Sequence, residues 1–443
     1  MITLKATKIS KTYADQLLEG VDLSHSGKGI VAFIGDNGSG KSTFLKMLSG
    51  QEIPDTGSIE WSGVDSVGSM PQEIVSDESL SGGQKKLVVL ADLLFSSQHD
   101  VLLLDEPDNH LDLDAKLWLE EYLPTFNGLI IMISHDRALL EKITTHTWLV
   151  EDHKIRTFPF GYKKFREVYE KEQESLLHKY KTQVMEKKRL ETMAEVFHAK
   201  GFIGAYRNTQ KRLERHVNEM VANPVAKKAS IAIQSKMETK VIKKKTAILI
   251  SDLEFGYDPK ELLFDHANLH LFVQDKVALL SPNGTGKSTL VKLLLQELTP
   301  ISGAAKIGEG LKVGYYSQDH ADRLPLDETP IQLFTKRYSL HDYQVDNILR
   351  RFFFTKNHIK SQIRTLSGGQ KSRLQLALFL YQNPDLLILD EPTNHLDLKS
   401  IAALENFLIE YPGTILLISH DRELVGKVCN SVYKIQNKKF LPA

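Results

Sequence analysis

Residues able to grip a phosphate group occur twice in this chain. Gly35-Asp-Asn-Gly-Ser-Gly-Lys-Ser42 returns as Ser281-Pro-Asn-Gly-Thr-Gly-Lys-Ser288. In such a loop glycine lets the backbone curl until several N–H groups converge on phosphate oxygens, a task for Gly35, Gly38 and Gly40 and again for Gly284 and Gly286. Lys41 and Lys287 then reach the β- and γ-phosphates, and the hydroxyls of Ser42 and Ser288 are placed to ligate magnesium. Asn37, Thr43, Asn283 and Thr289 are further candidates for the same two phosphate-binding sites. Ser281 stands where the first glycine of the loop would be, which weakens the second match without removing the expectation of binding.

Two further groups repeat in the same order. Val101-Leu-Leu-Leu-Asp-Glu106 and Leu386-Leu-Ile-Leu-Asp-Glu391 are apolar runs ending in paired acids, and Ser134-His-Asp-Arg137 and Ser419-His-Asp-Arg422 end each copy. Asp105 and Asp390 are candidates to hold magnesium, directly or through water, and Glu106 and Glu391 to polarise an attacking water. His135 and His420 are candidate sensors of the γ-phosphate. An acid pair after a core strand, or a histidine at a strand end, is ordinarily structural; the preceding phosphate loop and the repetition argue for chemistry.

The elements that must carry these groups are legible. Ile30-Val-Ala-Phe-Ile34 and Lys276-Val-Ala-Leu-Leu280 read as strands leading into the loops, and Phe44-Leu-Lys-Met-Leu48 and Leu290-Val-Lys-Leu-Leu294 as helices leading out. A helix beginning on the loop adds the partial positive charge of its N-terminus. The acid-tipped runs are apolar throughout, the pattern of strands buried on both faces, which deliver their last residues to the carboxyl edge of a parallel sheet.

A length of 443 residues suits two cores and a connector. The single cysteine, Cys429, cannot form an internal disulfide. The N-terminus shows no apolar stretch of signal-peptide length, and runs such as Gly128-Leu-Ile-Ile-Met-Ile133 fall far below the ~20 residues of a membrane helix. The expectation is a cytosolic, cytoplasmic protein with no membrane span. Net charge is zero, yet residues 163–245 hold 21 Lys and Arg against 10 Asp and Glu. In this basic stretch apolar residues recur at Tyr162, Phe165, Tyr169, Leu176, Tyr180 and Val184, then at Tyr206, Leu213, Val217 and Met220, and break at Gly201-Phe-Ile-Gly204. The spacing predicts a hairpin of two long amphipathic helices with its tip around 199–209.

Together with Leu80-Ser-Gly-Gly-Gln84 and Leu366-Ser-Gly-Gly-Gln370, these motifs resemble the ATP-binding-cassette ATPases over residues 1–150 and 246–443. The resemblance implies ATP and Mg2+ as ligands, with Gln72 and Gln318 joining Ser42, Asp105, Ser288 and Asp390 around the metal. It implies two composite sites at a head-to-tail interface. One pairs Lys41, Gln72, Asp105, Glu106 and His135 with Ser367, Gly368, Gly369 and Gln370; the other pairs Lys287, Gln318, Asp390, Glu391 and His420 with Ser81, Gly82, Gly83 and Gln84. Tyr13 and Tyr257 match the aromatic that stacks on adenine. Glu391-Pro-Thr-Asn-His-Leu-Asp397, the Ser-His-Asp-Arg tetrapeptides and the basic linker further resemble the ABC-F proteins, most of whose studied members bind the ribosome at the tRNA exit site and extend the linker toward the peptidyl-transferase centre. The first copy reads Glu106-Pro-Asp-Asn-His-Leu-Asp112, with Asp108 in place of threonine.

The expected architecture is α/β: two P-loop ATP-binding-cassette domains, 1–158 and 246–443, joined by a basic α-helical hairpin over 159–245. The chain is expected to be a monomer whose cassettes close on each other, acting on ribosomal RNA and tRNA through the linker, in translation regulation or in protection of the ribosome against antibiotics. A transporter subunit docking on separate membrane proteins, and a non-catalytic ATP-dependent clamp on nucleic acid, distinguished by very slow turnover, are the alternatives. The copies differ in one spacing: Lys41 to Ser81 spans 40 residues and Lys287 to Ser367 spans 80, so the first cassette is expected to lack most of its helical subdomain.

Overall fold

The computed structural model describes the chain except at residues 14–15, 71–81, 97, 110, 222–244, 259, 317–323, 353, 367, 383 and 395. The first cassette runs β1 (Thr3–Thr12), β2 (Gln16–Ser26), β3 (Gly29–Gly35), α1 (Lys41–Leu48), β4 (Thr56–Ser62) and β5 (Val67–Ser69). It continues through α2 (Gly82–Ala91), β6 (Val101–Asp105), α3 (Leu113–Tyr122), β7 (Leu129–Ile133), α4 (Arg137–Ile143), β8 (His146–Glu151) and β9 (Lys154–Phe158). Six strands form one sheet in the order β5-β6-β7-β3-β8-β9, parallel apart from the β8–β9 pair, and β2-β1-β4 form a small antiparallel sheet. Val101–Leu104 and all of β7 are buried, as runs covered on both faces must be. Because β3, β6 and β7 are parallel neighbours, the phosphate loop, the acid pair and the Ser-His-Asp loop all leave the same carboxyl edge.

A helical hairpin follows and forms a compact unit of its own. α5 (Tyr162–Ala199) is 38 residues, about 57 Å at the standard helical rise, and α6 (Ile203–Asn218) returns after a turn at 200–202. The return is tighter than the 199–209 tip expected from sequence, since the helix resumes at Ile203. Val184, expected on the apolar face, is exposed; Gln183 beside it makes the inter-helix contacts, its carbonyl meeting His216 at 2.8 Å and its amide holding Glu219 O and Val221 N. A polar clamp has replaced the apolar seam at that level, and the seam resumes with the buried Leu190, Ala194 and Thr209.

The second cassette repeats the first through β10 (Thr246–Phe255), β11 (Phe264–Phe272), β12 (Lys276–Leu280), α7 (Lys287–Leu294), β13 (Ser302–Ile307) and β14 (Val313–Tyr316). It then inserts α8 (Pro330–Tyr338), α9 (Asp342–Arg351) and α10 (Lys356–Lys360) before α11 (Gly368–Tyr381), β15 (Leu386–Asp390), α12 (Leu398–Glu410), β16 (Thr414–Ile418), α13 (Arg422–Val428), β17 (Ser431–Gln436) and β18 (Lys439–Pro442). Its sheet order, β14-β15-β16-β12-β17-β18, copies the first. Phe334, Val345, Leu349 and Ile359 of the inserted helices are buried in one cluster with Leu374 and Leu378 of α11. The first cassette has only residues 70–81 in that interval, and on its α2 side Val88 and Phe95 are 60% and 59% exposed. Gln84 to Asp100 is also one residue longer than Gln370 to Asp385, and the extra residue is taken up as a π-helical turn at Asp92–Ser96, which leaves both helix and strand in register.

Candidate functional site

Each phosphate loop ends in a glycine with φ +97°, Gly40 and Gly286, where an added Cβ would approach Leu17 at 3.2 Å and Phe264 at 3.0 Å. Left-handed backbone and lack of room both call for glycine there. No side chain caps α1 or α7, so their first N–H groups face the loop as an anion-binding end. Lys41 Nζ donates to Gly35 O and Asp36 O at 2.9 Å; Lys287 Nζ donates to Pro282 O at 3.1 Å and stands 3.1 Å from His420 Nε2. Burial lowers the pKa of both lysines.

Ser281 is accounted for by its surroundings. A Cβ on Gly35 would lie 2.9 Å from Val150 O, whereas in the second cassette the Ser281 hydroxyl accepts from Ile435 N at 2.6 Å. The serine has become part of the β12–β17 junction.

The acid pairs reach the same edge. Ser288 Oγ donates to Asp390 Oδ2 at 3.0 Å, and Ser42 bonds to Asp105, whose pKa burial raises. These are oxygen-only partners meeting at one point, the donor chemistry a hard divalent cation takes. Glu106 and Glu391 both have φ +49°, strained for a non-glycine residue and identical in the two cassettes, a feature no sequence pattern disclosed. His135 Nε2 lies 3.6 Å from Glu106 Oε1 and His420 Nε2 3.5 Å from Glu391 Oε1. Glu391 is pushed up to about 7 by burial, against the pull of Lys116 and Lys287; His420 is held down at about 3 by burial and then by Lys287. Asn109 donates to Glu106, and Lys86 Nζ to the backbone oxygens of Glu106 and Asn109.

Contacts between the cassettes are reciprocal. Asp397 caps α12 by accepting from Ser400 N with Oδ1 and accepts from Asn37 N of the opposite loop, 3.3 Å away, with Oδ2. Asp112 does the same for Ala115 N and Asn283 N, at 3.1 and 3.2 Å. Sequence reading missed these two aspartates, although their position six residues after each glutamate was visible. A cavity of about 260 Å³ is lined by Asp108, Lys116 and His135 from one cassette and Glu391, Thr393 and His420 from the other.

Tyr13 and Tyr257 are 56% and 67% exposed, so neither is strand packing. Tyr257 Oη is 3.2 Å from Thr289 Oγ1 at the start of α7, and Lys11 Nζ lies 5.4 Å over the Tyr13 ring. Gly82–Gln84 and Gly368–Gln370 open α2 and α11. Gln72, Gln318, Ser81 and Ser367 lie outside the described residues.

Fold and geometry together define a pair of P-loop cassettes with their phosphate loops turned toward one another's helix caps. The profile described as "ABC transporter" matches residues 18–76 and 264–394. The chain is 31% identical to the ribosome protection protein VmlR of Bacillus subtilis, over 97% of this chain and 86% of that one. It is 33% identical to the probable ATP-binding protein YheS of Escherichia coli over 83% of its own length, but spans only 57% of that relative. Among solved structures it is similar to the archaeal ribosome recycling factor aABCE1, crystallised with the stalk protein aP1, at TM-score 0.61 and 17% identity, over 96% of this chain and 87% of that one. The chain belongs to the ABC-F branch of the ATP-binding-cassette ATPases. Among the described residues no helix is long and apolar enough to cross a membrane.

Proposed function

We propose that the chain binds and hydrolyses ATP at two sites formed when its cassettes close, and that it acts on the ribosome. The observation that carries the reading is the reciprocal capping of each phosphate loop by the other cassette's aspartate, Asp397 on Asn37 and Asp112 on Asn283. Loop closure and cassette closure then become one event. Tyr13 and Tyr257 would stack on adenine, Lys41 and Lys287 would neutralise the phosphates, and Glu106 and Glu391 would each accept the proton of an attacking water. Ser42, Gln72, Asp105, Ser288, Gln318 and Asp390 would hold Mg2+, which supplies further neutralisation of the transferred group. Ser81 with Gly82, Gly83 and Gln84, and Ser367 with Gly368, Gly369 and Gln370, would complete the opposite sites. Similarity to a protein named for ribosome protection supports the ribosome as partner, with the basic hairpin as the part suited to RNA.

Changing Glu106 and Glu391 together to Gln should preserve ATP binding, abolish turnover and prolong association with ribosomes, because closure and ribosome affinity are reciprocally coupled. Sedimentation through sucrose with ribosomes or with membrane vesicles, with and without ATP, reads this out. A double variant that hydrolyses ATP at the parent rate would remove both glutamates from catalysis, and ATP-dependent recovery with vesicles alone would favour a transporter subunit.

A further inference from the structure

The departure from threonine at Asp108 has a second half eight residues later. The interval from Glu106 to His135 equals that from Glu391 to His420, so the two stretches correspond residue for residue: Asp108 with Thr393, Lys116 with Ile401, Asp136 with Asp421. The first cassette therefore carries an acid and a base where the second carries a hydroxyl and an apolar side chain. Lys116 Nζ pairs with Asp136 Oδ2 at 2.9 Å, with their side chains only 12% and 8% exposed. Asp108 is 4% exposed and its Oδ1 has no hydrogen-bond partner among the described residues. Burial pushes the Asp108 carboxyl up, and Lys116 is the charge that pulls it back.

The pair faces the other cassette. Lys116 and Asp108 line the cavity that also contains Glu391, Thr393, His420 and Asp421, so the ammonium of one cassette and the glutamate of the other share one space. Asp421 pairs with Arg137, 3.5 Å away, and Lys116 is the lysine among the cavity's lining residues. At the position corresponding to Lys116 the second cassette has Ile401, a residue 1% exposed. Asp136 is next to His135 and caps α4 through Leu139 N, so the cation is anchored to the first cassette's sensor loop.

We propose that Lys116 is a positioning residue supplied by the first cassette to the second: its fixed ammonium holds the Glu391 carboxylate in its hydrolytic place. The two sites are thereby unequal by construction. This rests on the ATPase reading above. A carboxylate beside bound phosphates is repelled by them, and a cation already fixed by its pair with Asp136 offsets that repulsion without moving during the reaction. The Glu106 site receives no such lysine from the other cassette, which has Ile401 at that position; its nearby cation is Lys86 of its own cassette, bonded to the backbone oxygens of Glu106 and Asn109.

The test copies one cassette into the other. Asp108→Thr with Lys116→Ile reproduces a combination the second cassette already tolerates, so folding, checked by its thermal midpoint, should survive. Turnover is measured in a Glu106→Gln background, where the Glu391 site works, and in a Glu391→Gln background, where the Glu106 site works. The exchange should lower turnover in the first background on the order of ten-fold relative to the second, raising kcat deficits more than KM. Lys116→Arg, which keeps the charge, should recover most of the loss. Equal changes in the two backgrounds, including none in either, would overturn the assignment; absence of ATP turnover in the parent would instead refute the ATPase reading itself.

Discussion

At the residue scale, His25 shows how strongly a position is shaped by what surrounds it. Its ring lies edge-on to His146 at 5.0 Å and to Trp148 at 5.7 Å, with Nε2 buried and without a hydrogen-bond partner among the described residues. Burial, and then the neighbouring His146, hold its pKa at about 4. The folded value is below the unfolded one near 6.5, so the neutral form is preferred in the fold. Its contribution is complete above about pH 6.5 and is lost as pH falls toward 4. Between pH 7.5 and 5 the loss is about 2 kcal/mol, worth several degrees of thermal midpoint. All three tryptophans, Trp61, Trp118 and Trp148, lie in the first cassette, so fluorescence melts report on it alone. His25→Phe, which keeps the aromatic packing, should shrink the acid-induced drop; an undiminished drop would locate the sensitivity elsewhere.

At the scale of elements, the helix after each Ser-His-Asp-Arg loop is tied to the helix after the opposite acid pair. Arg137 pairs with Glu405 and, at 2.9 Å, with Glu423, while Arg422 pairs with Glu120. Lys427 and Lys142 complete the two halves, 3.2 Å from Glu405 and 2.7 Å from Glu120. The halves are not equally strong, because Arg137 is 6% exposed and Arg422 33%. Breaking the buried half should cost about 3–5 kcal/mol of cassette pairing, and the other half less, because water already reaches Arg422 and Lys142 still pairs with the buried Glu120. Arg137→Glu should therefore suppress the ATP-induced approach of fluorophores on the two cassettes far more than Arg422→Glu, and adding Glu405→Arg should recover part of it. Similar effects from both single reversals would show that burial does not rank them.

At the scale of the whole molecule, the hairpin is the region whose charge and tip chemistry suit RNA. Phe202 and Ile203 remain 56% and 66% exposed although Phe202 meets Phe197 edge-on at 6.4 Å, and the Tyr206 ring lies 5.1 Å from His198. The tip thus has its own small cluster and still presents apolar surface that can stack on unpaired bases. Replacing Phe202, Tyr206 and Arg207 together with Ala should leave ATP turnover of the free protein intact and abolish the effect on translation in a reconstituted system. A variant as active there as the parent would make the tip a spacer and move the functional contacts to the cassettes.

What the sequence determined by itself is the chemistry that depends on local spacing. The glycine loops, the acid-tipped apolar strands and the basic helical stretch are each written within a few residues, because backbone conformation, strand burial and helix periodicity are short-range requirements. The duplicated order then implied two cassettes, and the unequal interval before the second signature implied a first cassette short of most of its helical subdomain. Tertiary structure decided the rest. The strained φ of Glu106 and Glu391, the second oxygen of Asp112 and Asp397, and the role of Ser281 at a strand junction all depend on partners from distant segments. Asp108 was visible as an exception, but its reason, Lys116 on the next helix turned into a cavity shared with Glu391, required the two cassettes to be folded and facing one another. A sequence shows which groups a chain owns; only packing shows which of them must share a low-dielectric space.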